Sequence, residues 1–253
     1  MKPVEIGIIG GSGLYEMAGI TRKKEVTVKT PFGPPSDSFI TGDLEGRRVA
    51  FLARHGRGHR IIPSDINFRA NIWGMKKLGV ERIVSVSAVG SMKESIRPGD
   101  VVVPDQFYDH TKRRIGTFFG DGVVAHVSFA DPVCAEMLPL LGKACRENKA
   151  VLHEGGTYFC MEGPQFSSRG ESLIYRKWGV DIIGMTNVTE AKLAREAEIC
   201  YATLALVTDY DCWHEEEESV SVGGVIETLK KNVLLSQEII RRCVPAIPKS
   251  RKC

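Results

Sequence analysis

The chain has 253 residues, 43% of them hydrophobic and 26% charged, which excludes a disordered or low-complexity fibrous protein. Lys and Arg total 34 against 31 Asp and Glu; a net charge of +3 with no long basic run argues against a surface that tracks nucleic-acid phosphates. At this length folding buries roughly 70–75% of the extended surface, so the core needs no disulfide or metal staple. Seven cysteines, at 134, 145, 160, 200, 212, 243 and 253, are odd in number and lack paired C-x-x-C spacing, which points to a reducing, cytoplasmic compartment. The apolar run Ile6–Ile9 follows Glu5 and is broken by Gly7, unlike a signal peptide or membrane span.

Short β-branched runs alternate with segments of helical period. In chain order the pattern predicts strands Val4–Ile9 and Arg48–Leu52, a helix Ile66–Leu78, strands Arg82–Val89 and Val101–Pro104, and a helix Val133–Asn148. It continues with a strand Thr157–Met161, a helix Ser168–Trp178, a strand Asp181–Met185, a helix Val188–Glu198 and a strand Tyr201–Thr208. The last helix is Val222–Arg242, with Val222, Ile226, Leu229, Val233 and Ile240 on one stripe and Pro245 ending it. Parallel strands covered by helices in one α/β domain spanning 1–253 is the expected architecture. The run Glu215–Glu218 reads as a solvated loop.

Three elements suggest an oxyanion site. Gly10-Gly11-Ser12-Gly13 follows the first strand, where glycines turn the backbone and offer N–H groups; a plain turn is the competing reading. It lacks the third glycine of a dinucleotide fingerprint and the Gly-Lys of a P-loop. Arg54-His55-Gly56 leaves the second strand, with a guanidinium fork suited to phosphate and an imidazole as one more donor; the alternative is an exposed basic loop. His55 and His59 have the i, i+4 spacing of a zinc pair, but the intervening glycines oppose a helix and no metal is expected. Ser85–Ser91 puts small residues at a strand end, for an oxyanion cradle or for close packing.

Asp209 and Asp211 terminate the last strand two positions apart. If the strand period holds, both carboxylates face one side and raise one another's proton affinity, giving one proton donor and one acceptor. That pair matches a purine whose N7 takes a proton and whose 6-amino group gives one; a turn cap and a solvated carboxylate are the alternative. No G-x-S-x-G elbow is present, and Cys212 beside Trp213 reads as packing rather than as a nucleophile.

Taken in order, Gly10–Gly13, Arg54–Gly56, Asn67–Trp73, Ser87–Ser91, Glu162–Ser168, Gly184–Thr186 and Thr208–Trp213 resemble the 5′-methylthioadenosine phosphorylases of the trimeric purine nucleoside phosphorylase branch. The resemblance implies a twisted mixed β-sheet, partly closed into a barrel and flanked by helices, in a homotrimer or dimer of trimers. It implies phosphate held by Ser12, Arg54, His55, the Ala88 N–H and Thr186. Met185 would lie against the ribose with Ser87 nearby, Phe166 beside base and sugar, and Asp209 and Asp211 on adenine. Val222, Val225 and Ile226 would wall the 5′-methylthio group, with His126 entering from a neighbouring subunit. The implied reaction releases adenine and 5-methylthioribose 1-phosphate with phosphate as co-substrate and no cofactor. Longer relatives continue past the equivalent of Cys253, so the expectation for adenine is firmer than for the methylthio end, and adenosine is a further expected substrate. The competing functions are a phosphate-independent adenine nucleoside hydrolase and a nucleoside-binding module without turnover.

Overall fold

The computed structural model describes residues 3–214 and 222–250, with the side chains of 222–227 left undescribed. Eleven strands and five helices follow one another among these residues. The first four strands, β1 (Ile6–Gly10), β2 (Thr21–Val26), β3 (Phe39–Leu44) and β4 (Arg47–Ala53), precede helix α1 (Phe68–Leu78). Then come β5 (Arg82–Ser91), β6 (Val101–Val103), β7 (Gln106–His110), α2 (Met137–Glu147), β8 (Leu152–Glu154) and β9 (Thr157–Met161). The chain goes on through α3 (Arg169–Lys177), β10 (Ile182–Gly184), α4 (Asn187–Glu196), β11 (Cys200–Asp209) and α5 (Val222–Ala246).

One mixed sheet joins all eleven strands. Its axis is β5, whose nine residues after Arg82 are apolar or small because strands cover both edges and helices both faces. Parallel β1 pairs with its first half and antiparallel β10 with its end, while parallel β11 runs along the other edge. Antiparallel β2·β3, β3·β4 and β6·β11 pairs make the sheet mixed, where alternation alone suggested parallel strands. Four strands, β2, β3, β7 and β8, lie outside the predicted set. The sequence TRKKEV of β2 is charged and exposed because it is an edge strand paired only to β3, a charged rim that resists further pairing.

The helices hold the two faces. α2 and α5 cover Ile6, Ile8, Leu204 and Leu206, with Ile239, Ile240 and Val244 inserted from α5. α1 and α4 cover Ile9, Leu52 and Ile83 with Ile72, Met75, Ala191 and Leu193. Local signals fix several ends: Asn67 caps α1 by accepting from the Ala70 N–H, and Ser168 and Glu171 form a capping box on α3. The predicted Val133–Asn148 helix begins only at Met137, and α5 continues through Pro245 to Ala246 rather than stopping there. Cys134, Cys145, Cys160, Cys212 and Cys243 are free thiols, whereas Cys200 is disulfide-bonded, which the expectation of a reducing compartment did not include. No helix among the described residues is long and apolar enough to cross a membrane.

Candidate active site

The carboxyl ends of β1, β4, β5, β10 and β11 open into a cavity of about 410 Å³. Ser12, Arg54, His55, Ser87, Ala88, Phe166, Met185, Thr186, Asp209 and Asp211 all line it. Segments far apart in the chain thus deliver the oxyanion elements and the paired acids to one space, as expected where parallel strands end beside helix N-termini. His126 is exposed and does not line it, and Val222, Val225 and Ile226 have side chains outside the described residues, as does the run Glu215–Glu218.

At one end stands Arg54, about 1% exposed. Its guanidinium fits beside Gly11, where a Cβ would come within 2.8 Å of Nη1, so the glycine is required there for close approach. Most of the fork is engaged within the protein, although Arg54 lines the cavity. Nε and Nη2 donate to Glu190 Oε1 and Oε2 at 2.5 and 3.1 Å. Nη2 also reaches Ser85 Oγ at 2.5 Å and Nη1 reaches the Val86 carbonyl at 3.0 Å. Of five N–H groups one, on Nη1, is left for a ligand. Glu190, equally buried, also accepts from Ser85 Oγ at 2.7 Å and Tyr201 OH at 2.8 Å. Asn187 completes the cluster by donating to Ser85, Tyr201 and Thr203. Arg54 and Glu190 therefore cancel in charge, and no local pattern points to Glu190 because it lies 136 residues from Arg54.

His55 differs in another way. Its Nδ1 lies 2.8 Å from the Ile61 carbonyl, which can only accept, so Nδ1 carries the proton. Burial, with Arg54 adding to it, pushes the imidazole pKa down to about 4, leaving it neutral at physiological pH. Nε2 is then a lone pair, an acceptor for a P–OH rather than the extra donor expected. His59, weighed from the sequence only for metal, stacks on His55 at 4.5 Å, bonds Tyr15 OH through Nδ1 at 2.9 Å and lines the cavity with Leu229. No group of three or more metal-ligating side chains is present among the described residues. Thr186 and Asn187 sit at the start of α4, whose N-terminal dipole favours an anion at this end.

The acids stand in the same cavity. Strand periodicity does not bring them together: β11 ends at Asp209, and Asp211 opens a 3-10 turn with φ of +54°. The Asp211 N–H donates to Asp209 Oδ1 at 2.8 Å, and Ser172 Oγ donates to Asp211 Oδ2 at 2.5 Å. Burial raises the pKa of both, and Asp209 adds like-charge repulsion at Asp211. Thr208 Oγ1 donates toward Asp209 Oδ2 at 2.7 Å, a partner that sequence reasoning left out. Between the two ends Ser87 Oγ bonds Tyr158 OH at 3.0 Å, Met185 lies beside Gly184, and Phe166, 62% exposed, stands at the rim.

Comparison with known proteins identifies the family. Residues 5–245 match the phosphorylase superfamily. An S-methyl-5′-thioadenosine phosphorylase of Koribacter versatilis is 60% identical over 249 residues, covering 98% of this chain and 85% of its own. A methylthioadenosine phosphorylase from an antarctic soil metagenomic library superposes with a TM-score of 0.93 at 54% identity, over 99% of this chain and 90% of that one. The Schistosoma mansoni methylthioadenosine phosphorylase, solved with adenine, superposes at 0.94 with 39% identity, over 98% and 93% of the two chains. The chain belongs to the phosphorylase superfamily, among its methylthioadenosine phosphorylases.

Proposed function

We propose that the protein cleaves 5′-methylthioadenosine with phosphate, releasing adenine and 5-methylthioribose 1-phosphate. The observation that carries this reading is the placement of the Arg54 end and the twin aspartates in one cavity of about 410 Å³, within the range that holds a small-molecule ligand. The Schistosoma relative's complex with adenine supports an adenine-bearing ligand, whose base the proposal sets between Phe166 and the acids.

In this reading phosphate lies at the Arg54 end, held by the free Nη1 proton, the Ser12 and Thr186 hydroxyls and the Ala88 N–H, with its own proton on His55 Nε2. Asp209, whose burial favours its protonated form, delivers a proton to N7 while Asp211 accepts from the 6-amino group. As the glycosidic bond stretches toward an oxocarbenium-like sugar, the anion beneath C1′ stabilises and then captures it. Met185 and Ser87 flank the ribose. Holding phosphate and sugar in line draws on effective molarities on the order of 10⁵ M or more, and the acid adds roughly 10²–10⁴-fold. No metal or organic cofactor takes part.

His59 and Leu229 face the 5′ end, continuous with the start of α5 where Val222, Val225 and Ile226 lie. His126, exposed on its own subunit, would complete a neighbour's site in a homotrimer or dimer of trimers, supported by the exposed Val123, Val124 and Val127 around it. One domain over 1–253 and a cytoplasmic location belong to the same reading. The test is a panel of methylthioadenosine, adenosine, methylthioinosine and inosine, each with and without phosphate. Adenine release only with phosphate, and little from the 6-oxo nucleosides, is expected; equal release without phosphate identifies a hydrolase, and none at all a binding module.

A further inference from the structure

β11 slips against β5 just before the acids. Val207 pairs with Val89 and Asp209 with Gly90, so Thr208 is an extra residue, a bulge at the cavity wall. Successive strand side chains ordinarily point to opposite faces; here Thr208 Oγ1 stands 2.7 Å from its own neighbour's Oδ2 and 3.1 Å from the Val89 carbonyl. The hydroxyl has one hydrogen and two acceptors within reach.

We infer that Thr208 is a positioning residue whose hydroxyl hydrogen follows the charge on Asp209, bonded to the Val89 carbonyl while the acid holds its proton and turned to Oδ2 when that proton passes to N7. The inference rests on the general-acid reading of Asp209. While the acid is neutral, Oδ2 needs no donor and the Val89 carbonyl takes the Thr208 hydrogen. As N–H forms at N7 and O–H breaks at Asp209, negative charge collects on the carboxylate. A rotation about the Thr208 Cβ–Oγ1 bond alone then supplies a donor aimed at it, beside the Asp211 N–H already fixed on Oδ1. Charge develops where a dipole is waiting, with no water needed to reorganise.

The surroundings leave this role to Thr208. Around Asp209, β5 supplies the Val89 carbonyl and Gly90, and β10 supplies Ile183. The following turn supplies Asp211, the titratable neighbour, whose own donor is Ser172 from α3. α5 sends Asn232 to the Val207 carbonyl, not to the carboxylate. No ion pair reaches either aspartate among the described residues. In agreement, burial raises the Asp209 pKa while the Thr208 hydroxyl lowers it.

The test compares Thr208→Val, which keeps the shape without the hydroxyl, with Thr208→Ser, which restores it, at saturating phosphate and methylthioadenosine. Turnover of Thr208→Val should fall at least about tenfold, and the alkaline limb of its kcat profile should move to higher pH, because the ionised acid has lost a donor. Thr208→Ser should return both toward wild type. A wild-type limb in Thr208→Val, or no rescue by serine, overturns the inference, the second by making the effect steric. Asp209→Asn runs alongside: if it keeps full turnover the general-acid reading fails and takes this one with it, whereas an impaired Asp209→Asn with an unmoved Thr208→Val sinks this inference alone.

Discussion

Replacing Glu190 by glutamine keeps the volume of the buried cluster and removes its negative charge. Arg54, about 1% exposed, then holds a cation whose remaining partners are Ser85, the Val86 carbonyl and one amide oxygen. Leaving half of a buried ion pair costs about 3–5 kcal/mol. For a chain of this size each kcal/mol moves Tm by about 2–4 °C, so the variant should melt roughly 6–20 °C lower. Phosphate becomes the counterion nearest to Arg54, so adding it should raise the variant's Tm by more than it raises that of wild type. Differential scanning calorimetry across a phosphate titration reads both quantities. A variant that melts with the wild type, or whose Tm responds to phosphate no more strongly, would refute the charge-compensated arrangement of Arg54.

Three other outcomes are expected. Asp209→Asn keeps the shape and removes the protonatable carboxyl, and steady-state kinetics should show turnover down at least about tenfold. Gly184→Ala drives a methyl into the hydroxyl of the buried Tyr158 and should cost about 1–3 kcal/mol in urea unfolding. Because the His55 pKa falls from 6.5 unfolded to about 4 folded, its stabilising contribution is complete above pH 6.5 and is lost as pH drops toward 4, about 3 kcal/mol in all. Asp209 and Asp211, raised on folding, act in the opposite sense, so the measurement is the difference between wild type and His55→Gln in urea melts from pH 7 to 4.

What the sequence reveals here depends on how local the cause is. The cores of β5 and β11 are legible because central strands are dominated by apolar and small residues, and the start of α3 because Ser168 and Glu171 carry its cap within four residues. β2 is illegible: its neighbours are on one side only, and its charges report solvent rather than strand. The site divides the same way. Ser12, Arg54, Thr186 and Asp209 sit in short motifs next to strand ends, whereas Glu190 acts on Arg54 across 136 residues and Thr208 on Asp209 through a register slip that no residue type announces. His55 is the instructive middle case, since its identity suggests an anion contact but the Ile61 carbonyl, six residues on, decides that it accepts rather than donates.

These positions describe one electrostatic plan. At one end of the cavity Glu190 cancels Arg54 and burial keeps His55 neutral, so the phosphate proposed there would be held by single N–H and O–H dipoles and retain most of its own charge. At the other end burial shifts Asp209 toward its protonated form, and in the proposed reaction the purine draws that proton away. In the proposed reaction an anion with its charge unspent would lie under the sugar, with Asp209 as the acid beside the base. The positive charge that appears on the ribose as the bond breaks is then the one group in the cavity that the anion can neutralise. A cradle of uncompensated arginines would bind phosphate more tightly and stabilise that cation less, which is the physical reason for a buried glutamate behind the arginine rather than a second cation beside it.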